Sequence, residues 1–292
     1  MRKISASLVF PISTPPIRHG VVVVDSEGTI LELQGTLESE AEDVEYYNGI
    51  ILPGLVNAYG GQYNSYIEDE SKTVRKSINQ KHFHSGTVLV GIEKYGNDCI
   101  REYLTSSHVT YRVMGCLLPE TSLPVNHNVS STELPFLVKF GNERASWEAT
   151  LNKLLQLPTN LHLLVHHTVE IPEKIIASIV YRFLFCSFIV SDTTSAESIS
   201  RMKKLGCKIV LGSVQSGSTN MLQLLKSIQE TNDNIALEEM LTWATLNGAL
   251  ALGVDDTFGC LEKNKKPGVL LLTGINMQTF KINEGAKLRR LV

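Results

Sequence analysis

Between residues 50 and 252 the chain alternates short, nearly unbroken apolar runs with segments of amphipathic helical spacing, and nothing else in it limits the fold as strongly. The runs are Ile50–Ala58, Thr87–Ile92, Thr110–Leu118, Phe136–Phe140, Leu161–His166, Phe183–Val190 and Lys208–Gly212. The helical segments are Glu68–Gln80, Asp98–Thr105, Glu143–Leu155, Pro172–Arg182, Ser195–Leu205, Asn220–Glu230 and Leu237–Leu252. A strand without polar alternation is covered on both faces, as in a parallel sheet wrapped by helices. Seven such runs, with an eighth compressed near Val125–Ser130, predict an α/β fold, a (β/α)8 TIM-like barrel or a reduced form of it. An open doubly wound sheet is disfavoured, because Gly212–Ser218 has neither dinucleotide-loop spacing nor a Walker lysine.

The two ends of the chain follow a different rule. Ile4–Phe10, Gly20–Val24 and Thr29–Gln34 read as strands, with Asp25-Ser26-Glu27-Gly28 as a reversing turn. Val269–Leu272 and the alternating Thr279–Ile282 read likewise. Residues 1–52 and 263–292 are therefore expected to form a small composite β-sandwich domain, with residues 53–262 as the barrel.

With 43% apolar residues in 292, the chain can bury a large core. Its 27 basic and 30 acidic residues are interspersed, and the net charge of −3 gives no footprint for nucleic acid or an anionic membrane. The longest apolar stretch, Ile175–Val190, is short for a membrane span and contains Arg182, while Pro11 interrupts the N-terminal run that would otherwise resemble a leader. The five scattered cysteines, Cys99, Cys116, Cys186, Cys207 and Cys260, read as small core hydrophobes in a reducing cytosol, which points to a cytoplasmic protein.

Ile51-Leu52-Pro53-Gly54-Leu55-Val56-Asn57-Ala58 resembles the amidohydrolase superfamily at the entry to its first barrel strand. Leu241–Gly253, followed by Phe258–Glu262 and Lys265–Leu271, resembles the closing helix of that family and its return to the sheet. Leu164–Thr168 and Lys208–Ser213 are similar to later strands of its deaminase and chlorohydrolase members, among them bacterial aminodeoxyfutalosine deaminases. Residues 237–252 also fit the closing helix on their own spacing, with Glu238 and Glu239 in the first turn and Gly253 as the stop.

The resemblance implies hydrolysis assisted by zinc or iron at the C-terminal strand ends, where the ion lowers the pKa of a bound water. The positions of the family's His-x-His are here Tyr59 and Gly61. A phenol with a pKa near ~10 is a poor ligand at neutral pH, and glycine has no side chain. No histidine stands in Leu137–Glu143, and Val214 follows Gly212-Ser213 where the family has aspartate. His166 is what remains of the family set. Lys139 resembles the bridging lysine of binuclear members but falls on another strand, and Glu143 loosely matches the deaminases' proton-shuttling glutamate. His127 resembles a substrate-contacting histidine.

Each of these residues also has a plainer reading. His127 suits loop packing, Glu143 a helix first turn, Asp192 the N-cap of the following helix, and His166 a core position. His82-Phe83-His84, read as extended, places two rings on one side, but at the N-terminal face of the barrel. No nucleophile elbow is present.

The candidate pocket lining is therefore Tyr59, Gly61, His127, Lys139, Glu143, His166, Asp192, Ser213 and Val214, with no metal ligand and no cofactor assigned. The expectation is a metal-free, non-catalytic relative binding a nucleoside-like small molecule or a protein partner, either a second copy or an active paralogue. The alternative is a hydrolase acting on C–N bonds through an atypical metal site.

Overall fold

The computed structural model describes residues 1–36, 43–62, 72–94, 103–105, 109–117, 135–140, 144–167, 170–213 and 220–292. The compressed run at Val125–Ser130 lies outside them, as do His127, Glu143 and Val214. The alternation in residues 50–252 folds as expected into strands and helices. Strands β6 (Leu55–Gln62), β7 (Thr87–Lys94), β9 (Thr110–Leu117), β10 (Phe136–Phe140), β11 (His162–His167), β12 (Phe185–Val190) and β13 (Lys208–Leu211) form one parallel sheet in the order β6-β7-β9-β10-β11-β12-β13. The Ser213 N–H donates to Tyr59 O at 3.1 Å and brings the last strand back to the first. The result is a seven-stranded TIM-like barrel among the described residues.

Period-two alternation sorts the side chains. Leu137, Leu164, Ile189 and Val210 join the interior cluster with Met114, Leu89 and Tyr59. Val138, Leu163, Val165, Phe188 and Val190 face outward against Ile175 and Ile179 of α3 (Glu173–Arg182), Met202 of α4 (Ala196–Lys204) and Leu224 and Leu225 of α5 (Met221–Thr231). Helices α1 (Lys72–His84) and α2 (Arg144–Leu154) also belong to this layer among the described residues.

The run Ile50–Ala58 is divided. β5 (Val44–Pro53) pairs with β1 (Arg2–Val9) and β14 (Val269–Ile275), whereas β6 enters the barrel. Gly54 is the joint, because a Cβ there would lie 2.3 Å from Val88 Cγ1 and 2.5 Å from Pro267 O. The terminal strands form one mixed sheet, β15-β14-β5-β1-β3-β4, with β2 (Ile17–Arg18) beside β1; β3 is Gly20–Val24, β4 Ile30–Thr36 and β15 Ile282–Arg290. The turn between β3 and β4 is held by Asp25 Oδ1, which accepts from the Glu27 and Thr29 N–H groups at 2.8 Å each.

Four sequence expectations are corrected. Tyr103–Thr105, placed in a helix, is strand β8, antiparallel to β9. Thr279–Lys281 is a turn with Phe280 at φ 54°, and the strand starts at Ile282. His82-Phe83-His84 ends α1, so its rings are not side by side: His82 is buried and His84 exposed. The helix expected over 237–252 is two helices, α6 (Leu237–Trp243) and α7 (Leu246–Ala251). The break follows from competition for a carbonyl, since Ala244 O accepts from Val56 N–H of the first barrel strand at 2.7 Å.

That break turns α7 against the N-terminal end of the barrel. Asn247 Nδ2 donates to Ile209 O at 2.9 Å, His162 Nδ1 to Leu250 O at 2.8 Å and Arg112 Nε to Leu252 O at 3.2 Å. The floor is thus closed by carbonyls of the α7 segment held by side chains of β11 and β9, and by Asn247 of α7 holding a carbonyl of β13. No helix among the described residues is long and apolar enough to cross a membrane, and Ile175–Val190 is split between α3 and β12.

Candidate functional site

The opposite end of the barrel collects polar side chains. In β11, Leu164 faces inward, so His166 does too and His167 faces away. In β10, Lys139 follows inward-facing Leu137 by two residues and sits in register with His166. In β7, Glu93 follows Leu89 and Gly91 at the same period and reaches the end of its strand. Tyr59 of β6 supplies the fourth inward side chain.

Their contacts form one network. Glu93 Oε1 accepts from the Tyr59 hydroxyl at 2.8 Å and from Lys139 Nζ at 2.6 Å. The Glu93 side chain is 0% exposed and that of Lys139 24%, so this ion pair has one fully buried partner. Lys139 Nζ also lies 5.5 Å from the centroid of the Tyr59 ring, within cation–π range. The His166 ring packs edge-on against Tyr59, centroids 5.1 Å apart.

Burial lowers the His166 pKa to about 4, and the Lys139 ammonium and His167 push the same way, opposed by Glu93. The imidazole is therefore neutral at pH 7. Its Nε2, like Glu93 Oε2, is buried with no hydrogen-bond partner among the described residues.

Gly61 occupies a bulge between β6 and β7 at φ 126°, a conformation that strains any residue with a Cβ, so its backbone does not suit a histidine. Ser213 closes the barrel seam: its Oγ accepts from Asn57 Nδ2 at 2.7 Å, and its N–H donates to Asn57 Oδ1 at 3.2 Å. Asp192 is exposed in the turn after β12, and the cap of α4 is Ser195, whose side chain accepts from Ser198 N–H at 3.1 Å. His127, Glu143 and Val214 lie outside the described residues.

Sequence reasoning missed Glu93. It lies one residue past the apolar run Thr87–Ile92 and reads there as a solvated terminus. The available signal was the phase of its strand, i+2 and i+4 from Gly91 and Leu89. Asn57 and Arg112, polar residues inside apolar runs, carried the same signal.

A catalytic zinc or iron site needs about three converging protein donors. Among the described residues no group of three His, Cys, Asp or Glu side chains converges. Glu93 Oε1 already accepts from a phenol and an ammonium, and the residue in register with His166 is the cation Lys139. The described side chains do not by themselves fit such an ion.

A parallel barrel with its polar cluster at the C-terminal strand ends defines the class of protein, and the sequence agrees: residues 107–287, more than half of the chain, match the amidohydrolase family. The chain belongs to that family. A search of curated proteins returned no match. Among solved structures, aminofutalosine deaminase from Helicobacter pylori superposes with a TM-score of 0.70 at 14% identity, covering 93% of this chain and 91% of that one. An adenosine deaminase from Xanthomonas campestris with bound zinc gives 0.67 at 14% identity, covering 95% and 85%. Atrazine chlorohydrolase from Arthrobacter aurescens, complexed with zinc, gives 0.67 at 12% identity, covering 96% and 90%. At these identities the likeness concerns the fold.

Proposed function

We propose that this chain is a metal-free, non-catalytic member of the amidohydrolase family that binds a small nucleoside-like molecule at the C-terminal strand ends. The observation that carries the reading is the fate of the first barrel strand. Where the family places its first histidine, Tyr59 donates its hydroxyl to Glu93, and two residues on Gly61 holds a backbone that disfavours any side chain. Hydrolysis in this family depends on an ion-activated water, and the residues described here do not converge on an ion.

Binding is supported by what the network leaves over. Glu93 Oε2 accepts only, and neutral His166 Nε2 takes either role according to tautomer. Both are buried without a partner among the described residues, and leaving such atoms unsatisfied is costly. A heteroaromatic ligand with an N–H donor for Glu93 and a ring nitrogen or hydroxyl for His166 would satisfy both. Its flat face would have the Tyr59 ring and the Lys139 ammonium as neighbours.

Elemental analysis of untagged protein, with thermal-shift titrations of purine nucleosides, tests this. The expected outcome is substoichiometric zinc and iron, a melting temperature raised by at least one nucleoside and not raised in His166→Asn, and no deamination. A stoichiometric transition metal lost on changing His166, together with metal-dependent C–N hydrolysis, would reinstate the hydrolase reading.

A further inference from the structure

We propose that Lys139 is a tethered cation: its ammonium occupies the seat at the strand ends where a free positive ion would otherwise be drawn by Glu93. This rests on the reading that the site holds no metal, and it adds what neutralises the site instead.

Glu93 is the group that demands a counter-charge. Its side chain has no solvent exposure, and its strand neighbours inside the barrel, Leu89, Met114 and Leu137, are apolar. A carboxylate in such surroundings stays ionised only beside a counter-charge. Of the groups around it, Tyr59 brings a neutral hydroxyl and His166 a neutral imidazole, so neither compensates the charge. Arg112, also inside the barrel, directs its Nε to the floor at Leu252 O. Lys139 approaches at 2.6 Å, with the electron-rich face of Tyr59 5.5 Å from the ammonium. A carboxylate, an aromatic face and a neutral imidazole around one positive charge are the surroundings of a bound cation, here supplied by the chain itself.

The structure also shows why the seat would accept an outside ion once emptied. Glu93 Oε2 and His166 Nε2 are buried with no partner among the described residues. Removing the Lys139 side chain beyond Cβ would take from Glu93 Oε1 one of its two donors, leaving the Tyr59 hydroxyl, and would vacate the path of the lysine stem. The occupant expected there is a cation with strong affinity for carboxylate and imidazole, or a short alkylammonium that reproduces the lost side chain.

The probes are cobalt(II) chloride and ethylammonium chloride, applied to the full chain as wild type, K139A and K139A/E93Q. Cobalt(II) is expected to bind K139A at least about tenfold more tightly than wild type or the double variant, with visible absorption bands from one bound ion. Ethylammonium is expected to raise the melting temperature of K139A alone. If K139A folds and neither probe distinguishes it from K139A/E93Q, the proposal is overturned.

Two further measurements hold if K139A fails to fold. K139R, which keeps the charge, is expected to fold and exclude cobalt. Cobalt bound to wild type and lost in E93Q would show that ion and ammonium coexist, which refutes a shared seat. Stoichiometric cobalt in wild type that survives E93Q would instead count against the metal-free reading, and the proposal then stands only if K139R binds no more cobalt at Glu93 than wild type does.

Discussion

The two ends of the barrel handle buried polarity in opposite ways. At the floor, Asn247, His162 and Arg112 each donate to a backbone carbonyl, at 2.9, 2.8 and 3.2 Å, and so tie strands to the segment that closes the barrel. At the mouth, Tyr59, Glu93 and Lys139 bond to one another, and His166 keeps a nitrogen unbonded among the described residues. Side chain to backbone bonding fixes an element in place. A side-chain cluster with spare hydrogen-bonding atoms also offers directional contacts. The floor is therefore read as architecture and the mouth, on the function proposed above, as recognition.

The largest expected effect is at the mouth. Truncating Lys139 to alanine strands the Glu93 carboxylate, and breaking a buried pair from one side costs about 3–5 kcal/mol. Because the Lys139 side chain is 24% exposed, the lower end applies, about 3 kcal/mol by urea unfolding at pH 7. K139A/E93Q should recover most of that loss. If the double variant is no more stable than K139A, the charge of Glu93 is not what Lys139 serves, and the contrast between the two ends weakens.

Acid should weaken the mouth next. The His166 pKa falls from 6.5 to about 4 on folding, chiefly through burial, so between these values the unfolded chain binds more protons than the folded one. Its contribution is intact above pH 6.5 and is lost as the pH falls towards 4, to the extent of about 2–3 kcal/mol. His82, buried against Tyr111 outside the mouth and also lowered to about 4, adds a loss in the same window. Stability measured at pH 7, 5.5 and 4.5 should therefore decline, and His166→Asn should flatten part of the decline. An unchanged slope in that variant would mean that water reaches the imidazole.

Closing the barrel is a smaller matter. Asn57→Ala removes the amide that both donates to and accepts from Ser213. About 2 kcal/mol is expected from two buried hydrogen bonds. Ser213 N–H keeps Tyr59 O, so the seam should loosen without opening, detectable as faster amide exchange at Ser213.

Much of this was legible in the sequence because it rests on periodicity. The unbroken apolar runs became parallel strands, Glu238 and Glu239 fell in a helix first turn, and Asp25 and Gly28 made the turn they suggest. What escaped depended on partners far along the chain. The break between α6 and α7 needs Val56 to take the Ala244 carbonyl, a contact invisible to a helical pattern. The Lys139–Glu93 pair joins residues 46 positions apart, and Glu93 alone resembles any acidic residue at the end of a strand. His166 could be placed because a strand has two faces and its neighbours were apolar. That Tyr59 is a hydrogen-bond donor rather than mere filling needed Glu93 first.

The smallest effect is the sharpest test of the contrast. Asn247→Ala deletes one floor hydrogen bond, to Ile209 O at 2.9 Å, from a half-buried side chain. The expected loss is about 1 kcal/mol, equal at pH 7 and pH 5 because no titrating group is touched. Nucleoside affinity should not change, since α7 lies at the far end of the barrel from His166. If N247A instead shifts ligand binding as strongly as His166→Asn does, floor and mouth are coupled through the strands. The division of the barrel into an architectural and a recognition end would then have to be abandoned.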